Sequence, residues 1–244
     1  MSGGMSRRAV MLSAGSAVIL AGCAARAQPG APAETPPPRS GVGRHVVKPL
    51  PFAPGSLKGL SERLVVSHHD NNYAGAVKNL LKAEEELSRV TKDTPPLVVG
   101  ALKQAELGFR NSATLHELYF DNLGGDGRAS GAAASAFAAA HGSAAAWEEH
   151  FRATAASLGG GSGWVITGWD LHRDAIVTAW SGNHTQTASA VLPLLVLDMY
   201  EHAYQMDYGA AAARYVDAFF ANVSWAEVDR RFERARRAAA ALRA

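Results

Sequence analysis

The sequence predicts an α+β fold: an N-terminal long helical hairpin followed by a small three-stranded antiparallel sheet with flanking helices. Three features predict it. Apolar residues between Leu57 and Asn122 recur at largely helical spacings, and Thr94-Pro95-Pro96 breaks the run near its middle. Between Trp164 and Leu197 the texture changes to short runs of apolar, β-branched and aromatic residues. Helical stretches lie on either side of those runs, so helices and strands are segregated along the chain rather than alternating.

The first helix is predicted from Leu57 to Val90. Leu57, Leu60, Leu64 and His68, then Val77, Leu80, Leu81 and Leu87, supply its apolar side, and the charged residues from Lys82 to Arg89 read as its solvated end. The second runs from about Leu97 to Asn122, with Leu102, Ala105, Phe109, Ala113, His116 and Phe120 on one side, until Gly124-Gly125-Asp126-Gly127 ends it. The alanine-rich stretch from Ser130 to Leu158 is predicted as a third helix, stopped by Gly159-Gly160-Gly161-Ser162-Gly163. Strands are predicted at Trp164 to Trp169, Ala175 to Trp180 and Val191 to Leu197, with the polar turn Asp170 to Asp174 joining the first two. Helices are expected from Met199 onward, and no internal repeat is visible.

The N-terminal residues read differently from the rest. Residues 1–22 combine Arg7 and Arg8 with an apolar run from Ala9 to Leu20, too short to span a bilayer comfortably, and read as an export signal peptide. Leu20-Ala21-Gly22-Cys23 resembles a lipobox, with Cys23 as the lipidated residue of a periplasmic or envelope-anchored lipoprotein. The paired arginines also resemble a twin-arginine signal, and a cut after Ala25-Arg26-Ala27 would instead release a soluble periplasmic protein. Residues 23–44, with Pro29, Pro32, Pro36, Pro37 and Pro38, lack the large apolar side chains that offset ordering entropy and read as a tether. A helical hairpin domain is drawn over 45–128 and an α/β domain over 129–244. Cys23 is the only cysteine, which excludes an internal disulfide or a thiolate metal site. Removing residues 1–22 takes away two arginines and no acid, so 22 Lys and Arg face 22 Asp and Glu, a balance that argues against a nucleic-acid partner.

The stretch from Leu194 to Tyr208 holds the strongest chemical signal. Asp198 stands at the end of an apolar β-type run, and His202 follows four residues later in a segment that reads as helix. If Asp198 caps that helix or ends the strand just before it, one turn brings both side chains onto one face. An imidazole and a carboxylate so placed can occupy adjacent positions on one iron or manganese ion. Further ligands must come from elsewhere, and His68 and His116 lie on the apolar sides of the first two helices. A lone histidine on such a face is ordinarily a core residue with one hydrogen bond. Two of them facing each other across a hairpin, with Asp198 and His202 available, shift the weighting away from that ordinary reading.

These segments fall in a familiar order. His68-His69-Asp70 precedes Val77, which lies nine residues after His68; His116-Glu117-Leu118-Tyr119-Phe120 follows; Gly161-Ser162-Gly163-Trp164 leads into the sheet. Then come Asp198-Met199-Tyr200-Glu201-His202-Ala203-Tyr204 and, near the end, Tyr215, Phe219, Asn222 and Trp225. Taken together, over about Val46 to Leu242, they resemble the iron/manganese superoxide dismutases, antioxidant oxidoreductases. The resemblance implies one metal ion per subunit held by His68, His116, Asp198 and His202, with solvent as a fifth ligand. It implies superoxide as the substrate, converted to oxygen and hydrogen peroxide as the metal cycles between its +2 and +3 states. It also implies a homodimer in which Glu201 reaches the partner's metal-binding histidine, with Tyr204 close by.

For the group that hydrogen-bonds the bound solvent and donates protons, the resemblance points to His184 in Asn183-His184, with Gln186 as the alternative if the loop is shifted. Histidine rather than glutamine there favours iron over manganese. Trp164 is the best candidate for a pocket wall, with Trp169 and Trp180 assigned to core and walls. The family's gateway has a histidine and a tyrosine four and eight residues after the first ligand and a tyrosine three after the last; here stand Asn72, Ala76 and Gln205. Ala76 leaves a wider opening, for which Tyr73 is a partial substitute. These departures frame a second reading, a weakly active or non-catalytic envelope metal-binding or interaction protein on the same fold. The intact ligands and Glu201 favour the enzyme. His69, about 100° around the helix from His68, and His45, His141, His150 and His172 are assigned to solvent or packing.

Overall fold

The computed structural model describes residues 41–243; the expected export signal over 1–22, Cys23 and the tether as far as residue 40 lie outside the described residues. The helical half opens at Ser61, whose hydroxyl accepts a hydrogen bond from the Leu64 amide at 3.1 Å and caps α1 (Glu62–Ser67). The helix therefore begins after, not at, Leu57. Leu57 and Leu60 are buried, but in an irregular segment that follows the 3-10 turn Pro54–Ser56. From α1 the chain passes through a π-helical turn, His68–Tyr73, into α2 (Ala74–Leu87), which ends three residues short of Val90. Such wide turns re-aim side chains relative to a regular helix, and they recur at functional sites.

α3 (Pro96–Asp121) packs against α2 as the second arm of the hairpin. Pro96 sits at its first turn, where a missing N–H leaves no bond unmade. One residue of the charged stretch at the end of α2 departs from expectation. Glu84 is only 2 % exposed, because its carboxylate accepts from the Gly43 amide at 2.6 Å and Arg110 Nη2 at 3.1 Å and lies 3.0 Å from His45 Nε2. A carboxylate out of water requires such partners, and these fasten residues 43–45 to the hairpin.

The alanine-rich third helix is two helices, α4 (Gly131–His141) and α5 (Ala144–Ala156). Gly142 takes φ +86°, a left-handed conformation that ends α4, and the Ser143 hydroxyl accepts from the Ala146 amide at 3.0 Å to start α5. High helix propensity on both sides concealed a Gly-Ser break.

Strands β1 (Trp164–Asp170), β2 (Ala175–Ser181) and β3 (Val191–Asp198) form an antiparallel sheet in the order β2-β1-β3. The register places Trp164 opposite both Ser181 and Asp198, so one end of the sheet brings Trp164 and Asp198 side by side. Gly163, just before β1, has φ +144°, and a Cβ there would lie 2.3 Å from the Ser181 carbonyl oxygen. Only glycine fits. Its carbonyl accepts from the Met199 amide at 2.9 Å, which ties the start of β1 to the end of β3.

β3 is an edge strand, and side chains close its free edge. Asn122 Oδ1 accepts from the Val196 amide at 2.8 Å and its Nδ2 donates to the Leu194 carbonyl at 3.3 Å. Arg231 Nη1 donates to the same carbonyl at 3.3 Å, and its Nη2 donates to the Leu118 carbonyl at 3.1 Å. The bonds to the Leu194 carbonyl and the Val196 amide satisfy edge groups that would otherwise be buried unpaired, and the bond to Leu118 ties Arg231 to α3.

After β3 the chain makes a 3-10 turn, Glu201–Ala203, then α6 (Gln205–Tyr208), α7 (Ala212–Phe220) and α8 (Trp225–Arg243). His202 thus lies in a 3-10 turn and not in the expected helix. Phe137, Trp147, Phe151, Phe219 and Trp225 form an aromatic cluster joining α4, α5, α7 and α8. One continuous core runs through residues on both sides of position 128. Because Asn122 is wholly buried and serves two groups of β3, Asn122→Ala is expected to cost about 2–4 kcal/mol. That loss is expected as a lower urea midpoint with an unchanged slope; an unchanged midpoint would contradict this account of the β3 edge.

Candidate metal centre

Four side chains from separate parts of the chain meet at the Trp164 end of the sheet. His68 comes from the π-helical turn, His116 from α3, Asp198 from the last position of β3 and His202 from the 3-10 turn. One donor atom of each lies within 4.8 Å of the others. Asp198 organises the group, since its Oδ1 accepts from the Tyr200 amide at 2.8 Å and its Oδ2 is left for the imidazoles. Oδ2 lies 3.1 Å from His68 Nε2, 3.2 Å from His202 Nε2 and 3.5 Å from His116 Nε2. The Asp198 carbonyl accepts from the Tyr215 hydroxyl at 2.8 Å, with the Tyr119 hydroxyl 3.1 Å behind it.

His116 shows what the cluster is built for. Its Nδ1 lies 2.7 Å from the Ser112 carbonyl oxygen, which can only accept, so Nδ1 bears the proton and Nε2 presents a lone pair. That Nε2 is buried and has no hydrogen-bond partner among the described residues. An orphaned buried acceptor is costly unless an electropositive atom meets it. Donors about 2.0–2.2 Å from a common centre lie about 3 Å apart at right angles and about 3.6 Å apart at 120°. The 3.1, 3.2 and 3.5 Å separations fit a single ion.

The protonation states agree with that fit. Burial pushes the His116 pKa down to about 3 and lowers that of His68 against the pull of Asp198. Burial alone would raise the Asp198 carboxyl, but attraction to His202 and hydrogen bonds with His202 and His68 outweigh it and hold it below the usual carboxylate range. An ionised carboxylate with no exposure, facing imidazoles of which two are held neutral, suits a cation at the centre of the group. Three nitrogens and one oxygen, without thiolate, suit iron or manganese.

Trp164 stands edge-on to His116, with ring centroids 5.1 Å apart, and donates from Nε1 to His184 Nδ1 at 3.0 Å. Neutral His184 therefore bears its proton on Nε2, and burial lowers its pKa and favours that neutral form. His184 stacks on Tyr200 at 4.5 Å, and Tyr200 stacks in turn on His202 at 5.3 Å. Gln186 stays with its own loop, its Oε1 accepting from the Gly182 amide at 3.2 Å. A cavity of about 340 Å³ leads to the cluster, and its walls include Asn72, Ala76, Phe109, His116, His184 and His202.

The other expected residues are more scattered. Tyr73 does not reach this cavity: its buried hydroxyl accepts from the Lys48 amide at 3.0 Å and donates to Glu117 Oε1 at 2.9 Å, and its ring lies behind His116 at 6.3 Å. It cannot stand in for a gateway hydroxyl. Glu201 and Gln205 are exposed beside His202, while Tyr204 is buried with its ring stacked on Tyr215 at 5.3 Å. Trp180 is 52 % exposed and forms no part of the core. His69, assigned to packing, is held by the Lys48 carbonyl at 2.8 Å. Sequence reading missed the Ser112 carbonyl, although its place four residues before His116 is the spacing of one helical turn. Asn79, also in the cavity wall, had no local signal at all.

Comparison with known proteins gives one answer. Residues 129–231 match the family model described as iron/manganese superoxide dismutases, C-terminal domain. A protein of Cupriavidus metallidurans named superoxide dismutase [Fe] is 44 % identical over 187 residues, covering 76 % of this chain and 95 % of that protein. Halobacterium salinarum superoxide dismutase [Mn] 1 is 35 % identical over 202 residues, covering 80 % of this chain and 98 % of that protein. An Aquifex aeolicus protein named superoxide dismutase [Fe] is 31 % identical over 212 residues, covering 83 % of this chain and 98 % of that protein. With relatives of this identity covered over nearly their whole length, the chain belongs to the iron/manganese superoxide dismutase family.

Proposed function

We propose that this chain dismutates superoxide, two superoxide anions and two protons giving one dioxygen and one hydrogen peroxide. His68, His116, Asp198 and His202 hold one iron or manganese ion, and the observation that carries the reading is the buried, unpartnered His116 Nε2 aimed into the Asp198 cluster. When bound, that ion supplies one-electron redox chemistry between its +2 and +3 states. The protein supplies the rest. Ser112 fixes the His116 tautomer, the Tyr200 amide fixes the Asp198 oxygen, and Trp164 fixes the His184 tautomer. His184 lines the cavity and, with Nδ1 taken by Trp164, carries its proton on Nε2, which supports assigning it the supply of a proton for peroxide formation.

Iron is our choice of metal, supported by His184 in place of glutamine and by the 44 % identity to a relative named for iron. We also propose that the chain is an exported lipoprotein anchored through Cys23, at the periplasmic face or elsewhere in the envelope. Pairing as a homodimer would use the surface bearing the exposed Glu201.

Elemental analysis and a dismutation assay on one natively produced sample are expected to show about one iron per chain with activity. His116→Ala is expected to lose the metal and to lower activity by more than about 100-fold; bound iron without activity in the unaltered protein would overturn the enzyme reading. For the dimer, sedimentation is expected to give twice the chain mass and Glu201→Ala to shift it toward the monomer, whereas a monomeric unaltered protein would contradict the pairing. For the anchor, fractionation is expected to find the protein with membranes and Cys23→Ser in the soluble periplasmic fraction; identical distributions would remove the lipid from the account.

A further inference from the structure

The cavity that reaches the four-residue cluster is larger than a two-atom substrate requires. A water molecule's share of liquid volume is about 30 Å³, and superoxide is of similar size. The cavity holds about 340 Å³, at the lower end of the range of roughly 300–1,000 Å³ that accommodates organic ligands. Its space comes from small side chains on the first turns of α2. Ala76 is in its wall, and Gly75 beside it has nothing within 4 Å of where a Cβ would stand.

The wall is also chemically divided. At the inner end are His116, His184 and His202, and His184 offers an Nε2–H donor. Ala76 and Phe109 present carbon surface, Asn72 and Asn79 add neutral amide donors, and among the described residues no acidic one lines the space. With a metal cation held by the cluster, the inner end offers positive charge and the His184 donor beside an apolar side wall, which matches a small molecule with an anionic oxygen group at one end and a hydrocarbon group at the other.

We infer that this cavity admits small organic carboxylates, aromatic ones included, which seat the carboxylate at the imidazole end and the hydrocarbon against Ala76 and Phe109. The inference rests on the metal-site reading above. It makes the site one that carbon-bearing anions can occupy in competition with superoxide, and Ala76 is the residue that sets the size limit. A tyrosine at that position would fill the side wall with a ring.

The test uses the iron-loaded protein in its ferric state, with the visible absorption bands of the metal site as the readout, titrated separately with azide, acetate and benzoate. Benzoate is expected to perturb the bands with an apparent Kd within about tenfold of that of azide. In Ala76→Tyr the benzoate response is expected to weaken by more than about tenfold, while azide shifts by less than about threefold. Because the size series on the unaltered protein stands by itself, a variant that fails to fold does not remove the test. An azide response with no acetate or benzoate response in the unaltered protein would overturn the inference and leave the metal site standing. No iron bound, or no response to azide, would overturn the metal-site reading and this inference together.

Discussion

Asp198 is a carboxylate with no exposure to water, and the rest of the site is arranged around the cost of keeping it ionised there. An isolated buried charge is expensive, so the group either protonates or finds partners. Here one oxygen takes a backbone amide, and the other faces three imidazole nitrogens. The carbonyl of the same residue is held by Tyr215, the strand that ends on it is bolted along its free edge by Asn122 and Arg231, and the next amide is tied to Gly163. Fold and site are thus the same set of bonds seen from two ends. A change in the edge of β3 moves the carboxylate, and a change in the carboxylate removes the reason the imidazoles converge.

Asp198 and His202 stood out in the sequence by their spacing, whereas His68 and His116 were only candidates until the resemblance to the family joined the four. His68 and His116 fall on apolar helix faces, and Asp198 and His202 flank the end of an apolar strand. The sheet was legible from its short apolar and β-branched runs, with each strand extending one residue beyond its predicted end. Local geometry was not. The π-helical turn at His68–Tyr73 has no signature in an apolar pattern, yet it decides which way Tyr73 points; its hydroxyl goes to Lys48 and Glu117 instead of the cavity. Gly142-Ser143 was hidden by the alanines around it. Glu84 read as solvated because its partners, Gly43, His45 and Arg110, come from distant parts of the chain.

The way in differs in kind from the ligand cluster. The ligands are fixed by charge and by tautomer, which allow little variation, whereas the mouth is shaped by volume, and Asn72 and Ala76 leave it open. On the inference drawn above, an open mouth would let larger anions approach and would place few groups in the path of the substrate or of departing peroxide. His184 is the only imidazole of the cavity wall that is not in the ligand cluster, and Trp164 and Tyr200 hold it between a hydrogen bond and a stacked ring. In the proposed reaction, proton supply would fall to this rigidly held imidazole more than to ordered groups at the mouth.

The central claim is that the Asp198 Oδ2 and the Nε2 atoms of His68, His116 and His202 surround one metal ion. Anomalous scattering at the iron and manganese edges, measured on crystals of the metal-loaded protein, addresses it directly. The account predicts a single strong peak per chain, equidistant within bonding range from those four atoms, with Asp198 Oδ1 still on the Tyr200 amide. A peak elsewhere, or none in protein shown to contain the metal, would contradict it.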